Sequence, residues 1–181
     1  MENKLLSVRE LQFQDIDALL NYWYNADPVF LTGMGVNLKK VPDKEDFRSM
    51  LSKQLEQSYL EKTSYCLIWL LDGIPVGHSN ISKIIFSEEA FMHLHLWEGP
   101  SRKKGSGVQF VRLSIPFFFN KYQLKKLYCE PYALNPAPNK TLPKAGFCFV
   151  KKYLTTPGWL NFEQEVNLWE MSREYFEKLQ F

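Results

Sequence analysis

Between Leu94 and Phe119 the chain reads LHLWEGPSRKKGSGVQFVRLSIPFFF, with Arg102, Lys103 and Lys104 followed at once by Gly105-Ser106-Gly107. An apolar run stops at Trp97, and a second one with helical spacing begins after the glycines. The first turn of a helix leaves about four backbone N–H groups without partners and carries a partial positive charge. Glycines that let the backbone come close, with cations beside them, therefore suit a phosphate or diphosphate. A nucleoside-triphosphate loop would close on Gly-Lys-Ser/Thr, and a dinucleotide turn would need a third glycine where Phe110 stands, so neither pattern fits. A cationic turn that binds nothing also accounts for the hexamer taken alone.

Groups able to move a proton lie on either side of this joint. His93 and His95 alternate with Phe91 and Trp97 on one face of an extended run, while Met92, Leu94 and Leu96 take the other face. Glu130 follows in CEPYALNPAPNKTLPKAGF. Imidazoles titrate near neutrality and serve as bases, but each histidine could equally be held by hydrogen bonds within the fold, and Glu130 could be a surface carboxylate. His78, in VGHSNI, reads as a turn-end histidine or as part of a pocket wall. Trp97, Tyr132 and Trp159 could shape a pocket or fill a core. Cys66, Cys129 and Cys148 are odd in number, far apart and set in apolar runs, so buried thiols are expected and no metal site is.

These residues need a frame to bring them together. At 181 residues and 45% hydrophobic content the chain is expected to form one domain, 1–181, with a substantial core. A net charge of +2 argues against a nucleic-acid partner. With no apolar block of signal-peptide length and no run of roughly 18 apolar residues, a cytoplasmic protein without a membrane partner is expected. The pattern predicts a strand over 5–12, a helix opening at Asp15, a loop around LTGMGVN, and a second amphipathic helix over 42–59. Strands 64–71 and 74–86 flank an Asp72-Gly73 turn. Strands over 90–97 and 124–133, with the glycine-started helix between them, form a β-α-β unit whose strands should be parallel. Strand, loop and returning strand close the chain over 146–171.

Arg102-x-x-Gly105-x-Gly107, after a strand and before a helix, resembles the diphosphate loop of the GNAT superfamily of N-acyltransferases. Asn135, Lys144, Gly146 and Phe147 resemble that family's second motif, about thirty residues on. The resemblance implies an α/β (α+β) fold with a mixed central sheet whose two parallel strands splay apart, flanking helices, and acetyl-CoA as co-substrate. It implies that the pantetheine arm lies along strand 91–97, touching Leu96 and Trp97. The diphosphate would sit on Lys103, Lys104, Gly105, Ser106, Gly107 and Val108 with Arg102 adding charge, and Asn135 and Asn139 would face the cofactor from the far side. The expected reaction is direct acetyl transfer to a primary amine, of a protein or peptide terminus or a small molecule, in a ternary complex. Glu130, His95 and His93 are the candidate bases. The family's tyrosine acid is replaced by Leu142, which has no proton to give, so Tyr132 or a bound water is the candidate acid. That departure resembles the ribosomal-protein and peptide N-terminal branch, whereas the Glu130-Pro131 segment resembles aminoglycoside N-acetyltransferases. A polycationic amine as acceptor, a catalytically inactive acyl-CoA-binding module, and a homodimer are the open alternatives.

Overall fold

The computed structural model describes residues 5–97 and 105–179. Arg102, Lys103 and Lys104 lie outside the described residues. In chain order the elements are β1 (Leu6–Glu10), α1 (Ile16–Asn25), α2 (Pro28–Gly33), α3 (Lys44–Glu56), β2 (Ser64–Leu71), β3 (Ile74–Ile85), β4 (Glu89–Leu96), α4 (Ser106–Tyr122), β5 (Lys126–Cys129), α5 (Pro136–Ala145), β6 (Cys148–Thr155), β7 (Gln164–Ser172) and α6 (Arg173–Lys178). Local chemistry sets several of these boundaries. Asp43 caps α3 by accepting from the backbone N–H groups of Glu45 and Asp46. Asp72 and Gly73 both take positive φ, 52° and 79°, as the tight turn between β2 and β3 requires.

The strands form one mixed sheet in the order β1-β2-β3-β4-β5-β7-β6. Only β4 and β5 run parallel, joined by the crossover helix α4. One face of the sheet packs on α4 and α5, burying Trp69, Met92, Phe110, Phe118, Leu127 and Leu142. The other face packs on α1, α2 and α3 through Leu20, Trp23, Leu31, Phe47, Leu51 and Ile68. The period-two reading of β4 holds. Met92, Leu94 and Leu96 belong to the first core, while Trp97 packs on the second.

Three helices escape the sequence pattern. The short α2 and α6 carry too few turns to show a period. In α5, the three prolines of PAPNKTLPKA argue against a helix, yet Pro136 and Pro138 occupy its first turn, where no backbone N–H has an intrahelical acceptor. The expectation of three buried thiols fails in part: Cys129 is buried, Cys66 is half-buried, and Cys148 is exposed. Cys148 opens β6, which has a strand neighbour on one side only and is solvent-exposed along most of its length. Among the described residues no helix is long and apolar enough to cross a membrane.

Candidate active site

The parallel pair parts after three positions. Glu89 pairs with Lys126, Ala90 with Leu127 and Phe91 with Tyr128, after which β4 stays with β3. Beyond Cys129 the chain keeps instead to β7: the N–H of Asn167 donates to the carbonyl of Pro131 at 3.1 Å, and the N–H of Ala133 to that of Glu165 at 2.8 Å. Two neighbours pull the strands in different directions, and a wedge opens between them. The wedge leads into a cavity of about 670 Å³ that extends under α1 and α3 to the loop between β6 and β7.

Past the C-terminal end of β4, where the strands part, the chain goes on to α4. Gly105 is its N-cap with φ of +70°, a left-handed conformation that favours glycine. Gly107 lies inside the first turn, and a Cβ built there would come no closer than 3.9 Å, to Thr141. Nothing in the fold forbids a side chain at 107, and glycine in a helix costs about 1 kcal/mol against alanine. A ligand that must touch the backbone gives a reason for it. Ser106 and Val108 share this turn, and Val108 packs on the first core.

Inside the wedge, His93 and His95 face the cavity together with His78. The turn-end reading of His78 is corrected: it sits within β3, opposite His95 in register and 3% exposed. Its ring stacks on that of His95 with centroids 4.5 Å apart. The indole N–H of Trp97 donates to Nδ1 of His78 at 2.7 Å. An indole nitrogen can only donate, so neutral His78 carries its proton on Nε2. Nδ1 of His95 lies 3.1 Å from the hydroxyl of Tyr22, and Nε2 of His93 lies 2.9 Å from that of Ser82. Burial, with His93 adding to it, pulls His78 down to about 3. Burial and Lys83 pull His93 down to about 4, and burial with the two neighbouring imidazoles holds His95 well below the ordinary histidine value. All three are neutral at pH 7, and the lone pair of His78 is already taken by the Trp97 indole, which leaves His93 and His95 as the imidazoles able to accept a proton.

Glu130 faces this cluster from the end of β5, its side chain 4% exposed. Lys83 approaches one carboxylate oxygen at 3.3 Å and the hydroxyl of Tyr153 donates to the other. Lys83 reaches it from a bulge in β3, where register with β4 slips between Ser82 and Ile85 and Lys83 takes φ of +49°. A left-handed lysine costs about 1–2 kcal/mol, and bulges commonly re-aim side chains beside active sites. Burial and the Glu130 carboxylate raise Tyr153 above its usual value.

The second motif turns out to be largely structural. The Asn135 side chain caps α5 and also borders the cavity. The Asn139 amide donates to the carbonyls of Tyr132 and Asn135, and its oxygen accepts from Asn167 and Trp169. That spends its amide on holding α5 to the end of β5. Gly146 ends α5 with φ of +105°, Phe147 is core, and Leu142 is fully buried, which confirms that position 142 offers no acid. Tyr132 lines the cavity, with its ring edge-on to Phe162.

Sequence reasoning missed Tyr22, Lys83, Tyr153 and Gln164. Tyr22 meets His95 across 73 positions, so no local pattern could have linked them. Gln164 is 3% exposed on the cavity wall, and its Oε1 has no hydrogen-bond partner.

Parted parallel strands joined by a glycine-started crossover helix, with buried imidazoles and a carboxylate on one cavity, make up this site. In sequence, the acetyltransferase (GNAT) domain model matches residues 6–148. The chain belongs to the GNAT acetyltransferase family, whose N-acetyltransferases use acetyl-CoA as co-substrate. Among curated proteins none matches it in sequence. Solved structures of the same fold include aminoglycoside acetyltransferase AAC(6')-Ib with coenzyme A, 16% identical with a TM-score of 0.74 over 98% of this chain and 100% of that one. RimL, the ribosomal L7/L12 alpha-N-protein acetyltransferase, also with coenzyme A, is 14% identical with a TM-score of 0.75 over 92% and 93%. Spermidine N-acetyltransferase from Vibrio cholerae, with coenzyme A and spermine, is 12% identical with a TM-score of 0.76 over 95% and 98%. At these identities the likeness is one of fold.

Proposed function

We propose that this chain transfers the acetyl group of acetyl-CoA directly to a primary amine within a ternary complex. The observation that carries the reading is the opening of Glu130 and His95 onto one cavity where the parallel strands part. The pantetheine arm lies along β4 past Phe91, touching Leu96 and Trp97. The diphosphate takes the backbone N–H groups that begin α4, with Arg102, Lys103 and Lys104 adding charge and Asn135 on the far side.

The amine arrives as an ammonium ion and gives a proton to Glu130 or to the neutral imidazole of His95, which Tyr22 orients. His93 borders the same space as the remaining base candidate. The amine lone pair attacks the thioester carbonyl, the C–N bond forms, and the C–S bond breaks as the thiolate leaves. Tyr132 supplies the proton that the thiolate takes up, since Leu142 cannot, and the resulting phenolate regains one from the nitrogen, which sheds its second proton as the amide forms. Thiolates leave readily, so this last step needs only modest help. The test is a panel of primary amines and N-terminal peptides with acetyl-CoA, reading free thiol and acetylated product. Acetyl-CoA binding without product from any amine would leave only a binding module.

A further inference from the structure

The cavity carries information about the acceptor as well as about the chemistry. Of the side chains that line it, Lys83 and Glu130 are the only ones with a formal charge among the described residues, and they face each other at 3.3 Å. The histidines beside them are neutral at pH 7. Under α1 and α3 the walls are Trp23, Phe47, Met50 and Leu51, with Trp159 from the loop between β6 and β7. The Phe47 and Trp159 rings meet edge to face at 6.0 Å.

A strap borders this end. The loop between β6 and β7 is tied to the segment after α2 by four hydrogen bonds: Asn37 N–H to Leu160 carbonyl at 2.8 Å, Phe162 N–H to Gly35 carbonyl at 3.3 Å, Asn161 Nδ2 to the same carbonyl at 2.9 Å, and Lys40 Nζ to Asn161 carbonyl at 2.7 Å. A buried polycation needs a carboxylate or water for each ammonium group, and this lining offers one carboxylate that is already paired. A peptide would bring backbone N–H and C=O groups that the apolar walls leave without partners. A volume of about 670 Å³, shared with the thioester arm, suits a small ligand. Beyond the charge pair, the wall's unmet polar demand includes the neutral Oε1 of Gln164, which takes a single donor.

We propose that the acceptor is a small monoamine with an apolar body of aromatic size, its amine at Glu130 and His95 and its body between Phe47, Met50 and Trp159. The proposal rests on the acetyl-transfer reading for the direction in which the amine points, but recognition of the body can be tested apart from transfer.

Calorimetric titration of the full chain saturated with coenzyme A reads binding without turnover. The probes are tryptamine, spermidine and the tripeptide Ser-Ala-Ala. Tryptamine is expected to bind at least about 30-fold more tightly than either, as burial of an aromatic body implies. Equal or tighter binding of spermidine or the tripeptide overturns the proposal, as does failure of all three to bind while coenzyme A does. Should coenzyme A itself not bind, the transfer reading falls, and the same titrations on the unliganded chain still decide this one. Met50→Glu provides a second measurement. Met50 is 39% exposed, so a carboxylate there stays hydrated and the fold is kept, to be checked by thermal melting. Tryptamine should weaken as its apolar body loses the Met50 side chain, spermidine should tighten by the added charge, and the ratio of the two affinities should shift by about 10-fold or more. A folded variant with unchanged selectivity overturns the proposal.

Discussion

On the proposed reading a neutral imidazole and a carboxylate are the two candidate bases, and their surroundings differ. His95 is held from one side by Tyr22 and stacked against His78, whereas Glu130 already accepts from Lys83 and Tyr153. A positioned base contributes about 10²–10⁴-fold, so Glu130→Gln or His95→Gln should lower turnover by that order while acetyl-CoA affinity stays near its original value. The check is a pH–rate profile of each folded variant; wild-type turnover in both would assign proton removal to water. With His95 depressed by burial, the profile of the unaltered protein should show no step near pH 6.5, and its alkaline rise should follow the acceptor amine. The alternation of His93 and His95 with apolar neighbours was legible, because period two follows from the backbone of a strand. The partners Tyr22, Lys83 and Tyr153 were not, since each arrives from another element and only the register of the sheet brings it in.

At the scale of elements, the joint between β4 and α4 is where the sequence spoke most clearly. Glycine at 107 has room for a side chain, so Gly107→Ala should stabilise the unliganded protein by up to about 1 kcal/mol. The same methyl would stand between the backbone and a diphosphate. Acetyl-CoA affinity should therefore fall as thermal stability rises, a divergence that melting curves with and without the cofactor would read. Unchanged affinity would move the diphosphate elsewhere. The strand, turn and helix order around this joint was legible from apolar runs and glycines. The parting of β4 from β5 was expected from resemblance alone, because its cause, the pairing of Pro131 and Ala133 with β7, lies over thirty residues downstream. In α5 the prolines hid a helix whose caps, Asn135 and Gly146, were in plain view as motif residues.

For the whole molecule, the imidazole cluster should make stability acid-sensitive. Histidines titrate near 6.5 in the unfolded chain, while His93 and His78 resist protonation in the fold down to about 4 and 3. Below pH 6.5 the unfolded chain takes up protons that the folded one refuses, so stability is full above that value and falls as pH drops towards 3. Each such proton steepens the loss by about 1.4 kcal/mol per pH unit. Urea unfolding between pH 7 and 5, above the range in which most carboxylates titrate, should show the decline, and a flat line would mean that the cluster is not buried in its neutral form. Strand order has a consequence for how the protein is made. Because β7 lies between β5 and β6, the earlier-synthesised β6 has no place in the sheet until residues 164–172 leave the ribosome. Until then β5, which delivers Glu130, is an open edge, and Phe149, Val150 and Leu154 wait unpaired. The matched span 6–148 thus holds both motifs but not the strand that spreads the site open. A nascent chain stalled at residue 160 should remain open to protease and fail to retain acetyl-CoA, and emergence of the residues through Ser172 should close the sheet and form the binding wedge in one step.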